Sequence, residues 1–212
     1  MLTKERIGTR RNRMILGVTG GVGAGKSVIL EYLKQEYGAK VLMADDIAKE
    51  LLEPGAEALL ELQKIFPAEV FTKEGAIDRE AMAAFIFQKP EKRTEMNAVV
   101  FPLVRKRICD EIQKSETTDM VVIEAALLIE EHYDEICDVM WYIYSSEKNR
   151  RERLADNRGY SQERITAMFQ SQLSEEAFRE GCDFVINNDG SLEDTYAQIK
   201  ENIRTWKDKM ER

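Results

Sequence analysis

The sequence predicts an α/β protein: a parallel sheet flanked by helices, with an α-helical insertion and an arginine-rich helical lid. Three observations predict it. Short apolar runs alternate with segments of helical periodicity along most of the chain. The stretch MILGVTGGVGAGKS (14–27) carries five glycines in fourteen residues between an apolar run and a helical pattern. From 56 to about 115, helical runs dominate and no strong strand is visible.

The elements follow in order. Met14-Ile15-Leu16-Gly17-Val18 suits a buried strand, and Ser27–Lys34 has apolar positions at 29, 30 and 33, as a helix requires. Lys40–Ala44 reads as a second strand ending at Asp45-Asp46, and the helix after it stops at Glu53-Pro54-Gly55. Helical runs at 58–66 and 78–87 are separated by Pro67, Gly75 and Pro90. Met120–Glu124 and the aromatic-rich Val139–Tyr144 are further strands. The segment 147–172 reads as one helical lid carrying Arg150, Arg151, Arg153, Arg158 and Arg164. Phe184-Val185-Ile186 is a last short strand, Asn187-Asn188-Asp189-Gly190 a turn, and 192–209 a closing helix.

Composition narrows the function classes. The 212 residues suffice for one well-packed core with an insertion, and 43% hydrophobic with 33% charged residues describes a globular protein. No apolar run is long enough to span a membrane, and a net charge of −8 disfavours nucleic acid as a partner. Cys109, Cys137 and Cys182 form no C-x-x-C pair and read as reduced thiols. His132 is the only histidine, so a histidine-based metal cluster or triad is excluded by count. Residues 1–13 are basic but lack the apolar core of a secretion signal; they read as an N-terminal arm before a single domain over 14–212. A cytoplasmic enzyme is expected.

The glycine-rich turn has a specific pattern. Gly20, four residues, then Gly25-Lys26-Ser27 match G-x-x-x-x-G-K-[ST], the phosphate-binding P-loop. Glycines let successive backbone N–H groups converge on one anion, and the following helix adds its positive dipole end. Lys26 reaches the β- and γ-phosphates, and the Ser27 hydroxyl ligates Mg²⁺. The expected ATP-binding set is Gly21, Val22, Gly23, Ala24, Gly25, Lys26, Ser27 and Val28.

A regulatory GTPase would need an N-K-x-D element, which is missing from the sequence, so a small-molecule kinase fits better. Asp45 ends a strand expected beside the P-loop strand, at the carboxyl edge where ligands bind, and is the candidate base. Capping the next helix is the competing role, and Asp46 suits either. Glu124 is a candidate carboxylate for the Mg²⁺ hydration shell, or else a buried structural group. The lid arginines offer a solvated face from which one or two serve the phosphates.

At these residues the sequence resembles the dephospho-CoA kinase family. The resemblance runs from about Met14 to the last helix, on GVTGGVGAGKS (17–27), ADDIAKELLEPG (44–55), GAIDREAMAAFIF (75–87), FPLVRKRI (101–108), IEAALLIE (123–130), RLADNRGYS (153–161) and DFVINNDGS (183–191). It implies transfer of the ATP γ-phosphate to the ribose 3′-hydroxyl of dephospho-CoA. Asp45 then falls on the family's catalytic aspartate. Asp45, Lys49 and Arg105 become substrate-binding, and the 56–115 insertion becomes the acceptor-binding region. The chain departs from the family at Met43, Phe101, Ala126 and Met168. Met168 stands where a lid arginine is common, which leaves Arg153 and Arg158 as lid candidates. The alternatives are another small-metabolite or nucleoside kinase, or a non-catalytic nucleotide sensor.

Overall fold

A computed structural model describes residues 13–115 and 119–210. The N-terminal arm expected over 1–13 lies outside the described residues except for Arg13, which is buried and donates to the Ser115 carbonyl at 2.9 Å. The chain divides into two compact units: residues through Leu42 with those from Ser115 onward, and Met43–Lys114.

The first unit carries a five-stranded sheet in the order β2-β3-β1-β4-β5: β1 (Met14–Thr19), β2 (Lys40–Met43), β3 (Met120–Glu124), β4 (Val139–Tyr144) and β5 (Phe184–Asn187). The pairings of β1 with β3, β1 with β4 and β4 with β5 are parallel. β1 and β3 are buried along their whole length, as strands covered on both faces must be, whereas the edge strands β2 and β5 are partly open. Ile15, Leu16, Val121, Val122, Ile123, Trp141 and Ile143 are fully buried and form the core.

The order corrects one expectation. β3 lies between β1 and β2, so the strand that leads to Asp45 is not the neighbour of the P-loop strand. Apolar runs identify strands but not their order, because β1 and β3 pair across more than a hundred residues of sequence, Val18 opposite Glu124. This register brings Glu124 level with the end of β1, and the Thr19 hydroxyl fixes it there by donating to the Ala125 carbonyl at 3.1 Å.

Helices α1 (Lys26–Tyr37) and α9 (Leu192–Met210) belong to the same unit. The expected single helix over 147–172 is two, α6 (Glu147–Arg158) and α7 (Gln162–Gln170), followed by a short α8 (Glu175–Glu180). Gly159 stops α6 in the left-handed conformation at φ 61°, and the Ser161 hydroxyl starts α7 by accepting the Arg164 N–H.

The second unit is helical: α2 (Ala44–Leu51), α3 (Glu57–Ile65), α4 (Arg79–Gln88) and α5 (Glu91–Lys114). It begins at Met43 rather than near residue 56 and therefore includes α2. Leu59, Leu62, Ile108 and Ile112 are its fully buried core. The Asp78 carboxylate caps α4, accepting the N–H groups of Glu80 and Ala81 at 3.0 Å.

Candidate active site

The phosphate loop connects β1 to α1. Gly20 opens it at φ 148°, and a Cβ there would lie 2.5 Å from the Ile143 carbonyl oxygen, so only glycine fits. The Ala24 N–H donates to the Gly21 carbonyl at 3.1 Å and closes a four-residue turn, with Gly23 at φ 80° in its third position. α1 has no side-chain cap and no acidic residue in its first turn, which leaves its N–H groups and dipole for an anion. Lys26 Nζ donates to the Gly20 carbonyl at 2.6 Å and stands 3.5 Å from Glu124 Oε1. Both side chains are largely withdrawn from water, where opposite charges act more strongly than at the surface. The structure thus brings together Lys26 and Glu124 among the expected residues. Val28, also expected there, is 42% exposed.

Four side chains from distant segments hold this loop: Arg153, Asn188, Arg150 and Gln172, the last accepting the Val22 N–H at 3.1 Å. Arg153 donates to the Ala24 carbonyl at 3.3 Å, to Ser145 Oγ at 3.1 Å and to the Asn188 carbonyl at 2.9 Å. Asn188, buried, donates through Nδ2 to the Ala24 carbonyl at 2.8 Å. Arg150 donates through Nε to the Val22 carbonyl at 2.9 Å and through Nη2 to Gln172 Oε1 at 3.1 Å. Burial pulls the Arg150 guanidinium below its ordinary value, and its face lies 4.1 Å from the Phe169 ring centroid. Arg158, by contrast, is exposed at the end of α6.

Asp189 organises the start of α6. It accepts from Ser145 Oγ at 2.7 Å, from the Ser146 N–H at 2.9 Å and from Asn149 Nδ2 at 2.8 Å. Desolvation pushes its carboxyl upward, but these hydrogen bonds prevail and hold it below the usual aspartate value.

Arg150, Gln172, Asn188 and Asp189 were not singled out as site residues from the sequence. By type and spacing Arg150 is one of five indistinguishable arginines, and the Asn187–Gly190 run reads only as a turn. Its two asparagines and one aspartate in succession were the available signal, since such residues bond backbone groups readily.

In the second unit, Asp45 and Asp46 occupy the first turn of α2 rather than the end of a strand, because β2 stops at Met43. Asp46 Oδ1 accepts from Lys49 Nζ at 2.7 Å. The Asp45 carboxylate is exposed and has no hydrogen bond among the described residues. A groove of about 930 Å³ is lined by apolar Leu52, Ile77, Met82, Ile86 and Phe87 with the cations Lys49, Arg79 and Arg93. Phe87 is 87% exposed, an unusual position for a phenylalanine. Arg105, on α5, is not part of the groove lining. Cys109 and Cys137 are buried and in no disulfide, and burial pushes the Cys182 thiol up to about 12.

Comparison with known proteins places this arrangement. The family model for dephospho-CoA kinase matches residues 14–194. A dephospho-CoA kinase from Carboxydothermus hydrogenoformans is 33% identical over 195 residues, covering 91% of this chain and 94% of the relative. A crystal structure from Thermus thermophilus superposes with a TM-score of 0.78 at 30% identity, covering 92% of this chain and 98% of that one. Dephospho-CoA kinase from Campylobacter jejuni gives a TM-score of 0.58 at 25% identity, covering 91% and 97%. The glycine loop, its lysine and the helices around them therefore stand in a family context: the chain belongs to the dephospho-CoA kinase family.

Proposed function

We propose that this enzyme transfers the γ-phosphate of ATP to the ribose 3′-hydroxyl of dephospho-CoA, giving coenzyme A and ADP, the last step of coenzyme A synthesis. The observation that carries the reading is the Lys26 ammonium held at the mouth of an anion-ready glycine loop, 3.5 Å from the buried Glu124. Lys26 offers its charge to the β- and γ-phosphates, and the loop N–H groups hold them in line. Asp45 takes the proton of the 3′-hydroxyl as its oxygen forms the new bond to phosphorus and the bond to the ADP oxygen breaks. The pairing of Asp46 with Lys49 supports this choice, since it leaves Asp45 as the uncommitted carboxylate of the α2 turn. The groove in the second unit suits an acceptor with a long flexible arm and anionic groups: its walls are mostly apolar, and three cations line it against one carboxylate, Glu53. Lys49 is the substrate contact there, and Arg105 a second one on α5. Arg158 serves the phosphates from the lid; Arg153 supports the loop.

The donor set fits Mg²⁺. Among the described residues no three His, Cys, Asp or Glu side chains gather as a metal site. Mg²⁺ asks for few protein ligands beside phosphate and water, and Ser27 with Glu124, the latter through water, would supply them. Bound there, it would neutralise charge on the transferring phosphate. We place the enzyme in the cytoplasm, with its small-molecule substrates; no helix among the described residues is long and apolar enough to cross a membrane. The test is initial-rate kinetics with dephospho-CoA and Mg·ATP, with the product identified by mass. Formation of 3′-phosphorylated product is expected; ADP release without it would defeat the acceptor assignment.

A further inference from the structure

One peptide of the Gly21–Ala24 turn decides what the loop offers an anion. In a four-residue turn the central peptide, here Val22–Gly23, is the one whose direction differs between the two common turn types. Positive φ at the third position, as at Gly23, belongs to one of them. A trans peptide is planar, so the Gly23 N–H points opposite to the Val22 carbonyl. Holding that carbonyl therefore aims that N–H.

We propose that Arg150 is a positioning residue that sets this peptide, and through it the phosphate site; the inference rests on the nucleotide-binding reading above. Its Nε–H donates to the Val22 carbonyl at 2.9 Å, and its Nη2 donates to Gln172 Oε1 at 3.1 Å. The same Gln172 oxygen accepts the Val22 N–H at 3.1 Å, so both polar backbone groups of Val22 are bracketed by the lid segment. Phe169, at the end of α7, fixes the plane of the guanidinium from its face. Glycine at 21 is the matching concession in the loop, because a Cβ there would lie 2.5 Å from Arg150 Cζ.

This is an arginine-specific arrangement. A planar guanidinium meets a carbonyl, an amide oxygen and a ring face together, whereas an ammonium on a flexible stem meets them only as a point charge. With the Val22 carbonyl drawn to Arg150, the Gly23 N–H stays turned to the opposite side, where the loop collects its donors for phosphate. Without Arg150 the peptide is free to turn over and present an oxygen to the anion.

The experiment is direct calorimetric titration of ATP with Mg²⁺ into wild type, R150A, R150K and Q172A, with melting temperatures alongside. R150A is expected to weaken ATP binding about ten- to a hundredfold, the scale of one charge-assisted hydrogen bond. The KM for dephospho-CoA should stay near the wild-type value. R150K should recover little, and dissolved guanidinium should restore R150A without affecting wild type. Q172A should lose less, in the same direction, at an unchanged melting temperature. Wild-type ATP affinity in R150A, or full function in R150K, would overturn the proposal. If R150A does not fold, Q172A decides: wild-type affinity there overturns it equally. A wild-type protein that binds ATP but leaves dephospho-CoA unphosphorylated would sink the acceptor reading and leave this inference standing.

Discussion

Around the phosphate loop, side chains from α6 and the turn after β5 reach across the sequence to backbone carbonyls of Val22 and Ala24, and Gln172 accepts the Val22 N–H. Around the groove of the second unit, Lys49, Arg79 and Arg93 are exposed, and Lys49 bonds within one helical turn to Asp46 at 2.7 Å. The difference is thermodynamic. Partly buried, long-range hydrogen bonds fix one geometry and are costly to leave unmade, whereas exposed pairs one turn apart contribute little and yield easily. The phosphate end is thus built before its ligand arrives, while the groove proposed for the acceptor is a largely apolar surface with exposed charges.

The predictions probe that contrast, from the largest effect down. Lys26→Ala should cost about 10³- to 10⁵-fold in kcat, because the transferring phosphate loses a prepositioned charge. Its dephospho-CoA affinity should be unchanged by calorimetry, since Lys26 does not line the groove proposed for the acceptor. Asp45→Asn keeps shape but removes basicity, so kcat should fall roughly 10²- to 10⁴-fold with ATP affinity retained. Asp46→Asn is the control and should lose far less; equal losses would remove Asp45 from the base role.

Arg158→Ala should reduce kcat about tenfold, with stability within about 0.5 kcal/mol of wild type, as for an exposed residue. Thermal melting beside steady-state kinetics would read both. Asp189→Asn should have the smallest effect on turnover but cost about 1–3 kcal/mol of stability at neutral pH, by weakening the charged hydrogen bonds at the start of α6. The folded-state pKa of Asp189 is depressed, so its contribution is complete above the unfolded value of about 3.9 and is lost as pH falls through the lower folded value. Melting curves of the two proteins should therefore begin to converge as pH falls below about 4, and meet once it is below the folded value. A gap that persisted unchanged in acid would assign Asp189 a different role.

What the sequence disclosed follows the same division between local and long-range. The phosphate loop was legible because its glycines, lysine and serine act within eight residues, between an apolar strand and an amphipathic helix. β1, β3 and β4 were legible as continuous apolar runs. The order of strands was not, since the insertion of β3 between β1 and β2 is a pairing of distant segments. The break at Gly159 is hard to read because helical runs lie on both sides of it, so one glycine and the Ser161 cap decide the matter. Arg150 could not be separated from Arg153 or Arg158 by type or spacing. Only the approach of its guanidinium to Gly21, the Val22 carbonyl and Phe169 distinguishes it.

The claim that the phosphate end is formed in advance is tested most directly by amide hydrogen exchange on the ligand-free protein. The Val22 N–H is bonded to Gln172 and the Ala24 N–H to the Gly21 carbonyl, each at 3.1 Å. Both amides should exchange at least about tenfold more slowly than an unstructured chain before any nucleotide is added. The segment 76–93 should gain protection only with dephospho-CoA. Exchange of Val22 and Ala24 at the unstructured rate until Mg·ATP is supplied would contradict the account.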